Sequence, residues 1–388
     1  MNNIATLYKF ELRKLAKRKI VWISLAVMLV LSAFTSLSGI LFNSFSESNS
    51  GESISGYEMA MRSRKYARNL AGRAIDDTLL HQMQTSADTW TYGAIYTYVW
   101  GILDHDNATM VTTNDTDLNA QSLYDARTHL IYEQWQRQQL TKKEEAFWKT
   151  REQNIQIPVI FDYTQGYKTL IQEFTALNVM VLLLVTIGLS GIFSDEHLRK
   201  TDQITLCCRL GRKPLYIAKI LAGLTFGIVS AILIFLTAAI TSFLVYGTDG
   251  FHAALQLVFP ESSRPLSLGK TTLVLFGLLI IATLFYSIAA MHLSQRLRSS
   301  MGTMAIMVGI TILTLFVTVP KNLRLFSQIY SYMPAWLINA DSCMDHRLVT
   351  LFGVSFTNWQ FGAALYVILG VILVLIGAGM YRRYQVRG

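Results

Sequence analysis

Six stretches of this chain, Ile20–Phe42, Phe174–Phe193, Leu221–Tyr246, Thr271–Met291, Met301–Val319 and Phe361–Met380, are strongly apolar and free of Asp, Glu, Lys and Arg. Each is about 20 residues long, and an α-helix rises about 1.5 Å per residue, so each can cross the ~30 Å hydrocarbon core of a bilayer. The fold expected is therefore an all-α membrane protein with six transmembrane helices. The same stretches lack the ionisable groups that ion-driven carriers and intramembrane enzymes place inside the membrane.

Apolar residues make up 52% of the chain, mean hydropathy is +0.35, and only 15% of residues are charged. The net charge of +9 is unevenly spread. Residues 43–168 hold 12 basic and 16 acidic side chains, a balance of −4, so the remainder carries +13. Positive charge beside apolar spans is the mark of a protein held against anionic lipid headgroups, and it excludes nucleic acid as the expected partner. Lys9, Arg13, Lys14, Lys17, Arg18 and Lys19 precede the first span, and Arg199, Lys200, Arg209, Arg212 and Lys213 lie between the second and third. Arg296 and Arg298 follow the fourth, and Arg382, Arg383 and Arg387 follow the sixth. The alternate connections carry fewer: Arg264 and Lys270, then Lys321, Arg324 and Arg347. This bias predicts both termini in the cytoplasm, and an even number of spans agrees in placing them on one side.

Before the first span, Ile4, Leu7, Tyr8, Leu12 and Leu15 fall on one helical face, which predicts an amphipathic interfacial helix over 1–19. The apolar run after it is too long for a signal peptide and is read as a retained span. Spans are expected at 20–42, 169–194, 215–246, 271–295, 300–319 and 361–381. Between them the sequence predicts a large helical extracytoplasmic domain at 43–168, a cytoplasmic coupling loop at 195–214, outer segments at 247–270 and 320–360, and a cytoplasmic tail at 382–388. The 43–168 segment is rich in helix formers, and its apolar stretch Gly93–Leu103 is too short to span. Asn107 and Asn114 open triplets of the glycosylation type. Trp336, Trp359, Tyr330 and Tyr332 predict a 320–360 segment lying at or entering the outer leaflet.

The catalytic candidates fail on chemistry. Leu268-Gly-Lys-Thr-Thr272 ends like a phosphate-binding loop, but the position of its first glycine is Arg264 and it opens an apolar span. Asp195-Glu196-His197 are adjacent, so on a helix they point apart and complete no metal shell. Cys207, Cys208 and Cys343 form neither a disulfide framework nor a metal site, and no nucleophile–base arrangement is present.

The connection after the second span is more informative. It reads Phe193-Ser-Asp-Glu-His-Leu-Arg-Lys-Thr201, then Ile204-Thr-Leu206, Arg209, Gly211-Arg-Lys-Pro-Leu215 and Lys219. Here the chain resembles the permease subunits of type-2 ABC exporters. In that family the second span ends in a Phe-Ser-x-Glu-like step, followed by a Thr, a short apolar run, a basic residue and a Lys opening the third span. Ser194, Glu196, Thr201, Leu206, Arg212 and Lys219 occupy those positions, and Tyr163–Tyr167 resembles the usual approach to span two. An amphipathic start, six spans and a long outer segment before the last extend the likeness to the layout. The large first outer domain and Cys207-Cys208 depart from it.

The resemblance implies a cell-membrane exporter, bacterial in the expected case, that moves an amphipathic peptide, lipid or drug outward. ATP and Mg would be held by a separate ABC ATPase subunit, with no cofactor or metal in this chain. That ATPase would dock on Phe193, Asp195, Glu196, Arg199, Lys200, Thr201, Arg209, Arg212 and Lys213. A second permease subunit, identical or homologous, would complete the pathway, with Gly223, Gly227, Gly302 and Gly309 as candidate helix-packing positions. Thr175, Asn178, Thr186 and Ser190 are candidate pathway-lining residues, with local backbone bonding as their alternative. The aromatic Trp90–Trp100 region would cap the exit or recognise a ligand. The alternatives are a non-transporting sensor or assembly protein, an ion-coupled secondary transporter and, last, a membrane-embedded enzyme.

Overall fold

The computed structural model describes residues 2–42, 44–46, 53–86, 89–103, 118–201, 211–320 and 322–383. Among the described residues, five helices are long and apolar enough to cross a membrane. They are α2 (Lys19–Leu41), α8 (Gln165–Leu189, continued after a turn by the short α9, Ser194–Leu198), α10 (Lys213–Tyr246), α11 (Leu268–Leu297) and α15 (Asn358–Arg383). The sixth apolar run, expected as a span at 300–319, is the 17-residue α12 (Ser300–Phe316). Its length is about 25 Å at 1.5 Å per residue, the short end of what a crossing needs.

Within the bundle α8 is central: 72% of its apolar window is buried, against 17% for α2. A helix apolar on all faces gains most by being surrounded. Leu170, Ile171, Phe174, Leu177, Val181, Val185 and Leu189 give α8 such a surface, and it packs against α2, α10, α11 and α12. The amphipathic α1 (Asn2–Ala16) lies on α10, where Tyr8 Oη meets Thr225 Oγ1 at 3.0 Å. The beginning of α2 and the end of α15 lie at one end of the bundle: Arg18 reaches the carbonyls of Gly188 and Gly191, and Arg212 reaches that of Arg382.

The opposite end carries a helical domain of α3 (Gly56–Leu70), α4 (Asp77–Thr85), α5 (Thr89–Leu103), α6 (Ala120–Arg137) and α7 (Lys142–Glu152). Side-chain caps start four of them: Ser55, Asp76, Asn119 and Thr141 each accept a backbone N–H of the first turn. The stretch Gly93–Leu103 buries Ile95, Tyr98, Val99 and Ile102, the spacing of one helical face, against Leu79, Leu80, Met83 and Leu123. Two short antiparallel hairpins qualify the all-α expectation: β1 (Ser44–Ser46) with β2 (Ser53–Ser55), and β3 (Leu348–Leu351) with β4 (Val354–Thr357).

The segment between α12 and α15 folds as α13 (Arg324–Ser331), α14 (Pro334–Leu337), a 3₁₀ turn at Ala340–Met344 and the β3–β4 hairpin. Trp336 Nε1 and Tyr330 Oη both donate to Thr314 O, at 2.8 and 3.0 Å, and so satisfy a carbonyl that the last turn of α12 leaves open. Three basic residues between α10 and α15 are engaged internally at this end. Arg264 is buried between the rings of Trp359 and Trp148, with its guanidinium on Asn358 Oδ1 at 2.8 Å and the carbonyls of Cys343 and Asp345. Arg347 pairs with Asp345 at 2.8 Å, and Arg324 pairs with Glu144 at 2.7 Å. These cations hold the helical domain and the 338–358 segment together.

Candidate functional site

At the end of the bundle where α1 lies, an array of charges joins three elements. Glu11, Lys14 and Arg18 stand three and then four residues apart, so they share one face of the helical approach to α2. They meet the step at the end of α8. Arg18 Nη2 lies 2.6 Å from Asp195 Oδ2, and Lys14 Nζ lies 2.7 Å from Glu196 Oε1. Lys219, fully buried in the first turns of α10, donates to Glu196 Oε1 at 2.8 Å, to Ile192 O at 2.8 Å and to Glu11 Oε2 at 3.4 Å. Its three N–H donors are thereby matched by three acceptors. Two carboxylates and two ammonium groups leave the buried part of the array neutral, which is what its burial requires.

Local sequence explains the step. After Leu189, Ser190–Phe193 leave α-helical pairing and the chain restarts at Ser194. Arg18 places a cation on the carbonyls at the end of α8, where the helix dipole favours one. Ser294 Oγ donates to Ser190 O at 2.5 Å and accepts from Ser194 N at 3.3 Å, tying the break to α11. A Cβ on Gly191 would stand 2.5 Å from Asp195 Oδ1, so a side chain there would displace the carboxylate that pairs with Arg18.

Of the residues expected to dock an ATPase, Phe193, Asp195 and Glu196 face inward instead. Phe193 is buried, its ring 5.8 Å from those of Tyr216 and Tyr381, with Lys219 Nζ over its face. Leu198, Arg199, Lys200 and Thr201 are exposed, as are Arg212 and Lys213 across the loop. Arg209, Cys207 and Cys208 lie outside the described residues.

The pathway candidates divide similarly. Asn178, Thr186 and Ser190 are buried within the bundle. Asn178 donates to Pro334 O at 2.6 Å, Thr186 to Leu182 O at 2.8 Å, and Ser190 Oγ meets Ser300 Oγ at 3.1 Å. Each is engaged in packing, and only Thr175 remains half-buried. The glycines on α10 pack inside the unit. A Cβ on Gly223 would stand 2.3 Å from Met291 Sδ, and one on Gly227 would stand 2.5 Å from Ser287 Oγ. A Cβ on Gly302 would stand 3.8 Å from Leu297 Cδ1 at the end of α11, an ordinary contact, and one on Gly309 would meet nothing within 4 Å.

The spanning helices are also not free of charge. They begin earlier than the apolar runs and so include Lys219 in α10 and Glu173 in α8, whose carboxylate accepts from the buried Ser36 of α2 at 2.6 Å. Counting charge only inside the apolar runs overlooked both.

Glu11 is the functional candidate that the periodicity of α1 overlooked. It is the one acid among the basic residues of the N-terminal segment, and it occupies the apolar stripe of positions 4, 7, 8, 11, 12 and 15. An acid on an apolar face needs a buried cation, and Lys219 supplies it. No group of three or more His, Cys, Asp and Glu among the described residues is placed to hold a metal ion. No family profile, curated protein or solved structure matches this chain.

Proposed function

We propose that the chain is the transmembrane subunit of an ATP-driven exporter of the type-2 ABC class, moving an amphipathic peptide, lipid or drug outward. In this reading α12 is a sixth span, both termini are cytoplasmic in a bacterial plasma membrane, and the helical domain is extracytoplasmic. A second permease subunit completes the pathway, and Gly309, on an unpacked face of α12, is a position open to it. A separate ATPase binds ATP and Mg and docks on the exposed basic rim Leu198–Thr201 and Arg212-Lys213.

The observation that carries the reading is the array Glu11–Lys219–Glu196–Lys14 with Arg18–Asp195. It fastens the interfacial helix, the end of α8 and the start of α10 into one body directly beneath the basic rim. A push on the rim would then move two spanning helices together, the rigid-element motion an external motor needs. Phe193, Asp195 and Glu196 transmit in this scheme, while Arg199, Lys200, Arg212 and Lys213 make the contact.

The test is co-purification with an ABC ATPase encoded beside this gene. The double change Arg199→Glu, Lys200→Glu is expected to abolish complex formation and cargo-stimulated ATP turnover while leaving thermal stability unchanged. Unaltered complex and turnover would refute the docking assignment.

An ion-coupled carrier is the second reading, and Glu173 favours it, because an acid inside a spanning helix is a default coupling site. The chain alone, reconstituted in vesicles, would then accumulate solute on an ion gradient and stop with an uncoupler.

A further inference from the structure

A half-open cavity of about 410 Å³ lies where α3, α5 and the approach to α8 converge. Its walls are mainly apolar and aromatic, with Met59 from α3, Trp90, Ala94 and Tyr98 from α5, and Leu257 from the loop before α11. Two charged side chains, Asp162 and Lys168, also line it. Neither makes an ion pair among the described residues. Asp162 accepts only its neighbour's N–H, from Tyr163 at 2.7 Å. Half-burial of an unpaired ammonium and an unpaired carboxylate in one apolar cavity is costly, and structures retain such groups where a ligand completes them.

Gly93 adds an independent sign of vacant space. A Cβ there would meet nothing within 4 Å, and the residue lies on the cavity wall. Burial, together with the nearby Asp249, pushes the Asp162 carboxyl above its ordinary value, against the opposing pull of the Tyr163 N–H and of His252.

We infer that this cavity binds a small zwitterion with an apolar or aromatic side group, of the size of a dipeptide, its carboxylate on Lys168, its ammonium on Asp162 and its side chain among Trp90, Met59 and Tyr98. The volume and the mix of apolar wall with a few convergent polar groups are those of small-molecule sites. Asp162 and Phe161 also line a second cavity of about 500 Å³ that contains His252 and Gln256. The assignment does not depend on how the chain is energised. It is read on the purified chain without an ATPase, so its failure and that of the exporter reading are separable.

Calorimetric titration of the purified full-length protein in lipid nanodiscs tests it. The probes are the dipeptide leucyl-phenylalanine, its N-acetyl and C-amide forms, and a short-chain phosphatidylethanolamine. Blocking either terminus is expected to weaken binding about tenfold or more, the loss of one charge-assisted hydrogen bond. Lys168→Met should bind the free acid and the C-amide equally, and Asp162→Asn should bind the free and N-acetyl forms equally. Gly93→Leu should abolish binding without lowering thermal stability, because it fills open space on a helix. Binding of the doubly blocked peptide as tight as that of the free one, indifference to Lys168→Met and Asp162→Asn, or binding of the lipid alone would each overturn the proposal.

Discussion

Lys219→Met is the sharpest test of the array beneath the spans. Methionine nearly preserves the volume of the lysine stem, so little cavity is created and the effect is electrostatic. The ammonium is fully buried, and its removal strands Glu11, whose side chain is 3% exposed. The next cation to Glu11 is Lys14 Nζ at 3.7 Å, already committed to Glu196 at 2.7 Å. Ile192 O loses its donor as well. Breaking a buried pair by removing one partner costs about 3–5 kcal/mol, because the remaining charge stays desolvated. The exposed Lys213→Met, a few residues away, should stay within about 0.5 kcal/mol. Thermal unfolding in detergent, followed by size-exclusion fluorescence, compares the two. Adding Glu11→Gln to Lys219→Met should restore part of the loss, since the stranded charge is then gone. Limited proteolysis should open first near Lys17 and Arg18 as α1 lifts from α10. A Lys219→Met protein that melts with wild type, or a double variant worse than the sum of its parts, would refute the buried-pair account.

Three further outcomes follow from the packing. Gly227→Leu drives a side chain into Ser287 and should cost about 1–3 kcal/mol by overpacking, whereas Gly309→Leu should leave the melting of the single chain unchanged. Burial raises the Glu144 carboxyl, but the bond to Arg324, the backbone N–H of Leu348 and the N–H and hydroxyl of Thr141 outweigh it and hold the group below its ordinary value. That contribution is complete above the ordinary carboxylate pKa and is lost as pH falls through the lowered one, so Glu144→Gln should flatten the acid limb of a stability–pH curve. Burial pushes the Cys343 thiol up to about 12, so it should resist iodoacetamide at pH 8 until the protein unfolds, read by mass spectrometry of its peptide.

Legibility in the sequence followed the range of the physics. Five apolar runs were readable as bundle helices because the hydrocarbon thickness acts on each segment separately. The sixth run, at 300–319, is a bundle helix as well, but a nearby event shortens it: the helix stops at Phe316, and Tyr330 and Trp336 satisfy a carbonyl of its last turn. The sequence marked the connection after span two as the polar stretch to watch, but it assigned Asp195 and Glu196 to a partner. Their ion pairs lie with Arg18 and Lys219, residues 177 and 23 positions away. Glu11 on its apolar stripe was the local sign that such a pairing existed.

The chain alone determined that it is helical, that several of its helices are long and apolar enough to cross a membrane, and where its positive charge accumulates, since hydropathy and charge are properties of short windows. Tertiary structure decided which charges are spent on folding and which stay exposed, and which glycines face a neighbouring helix. It also decided which polar side chains meet a cavity. Those choices depend on contacts between segments far apart in the chain, where burial turns an ordinary lysine or carboxylate into one that must find a partner.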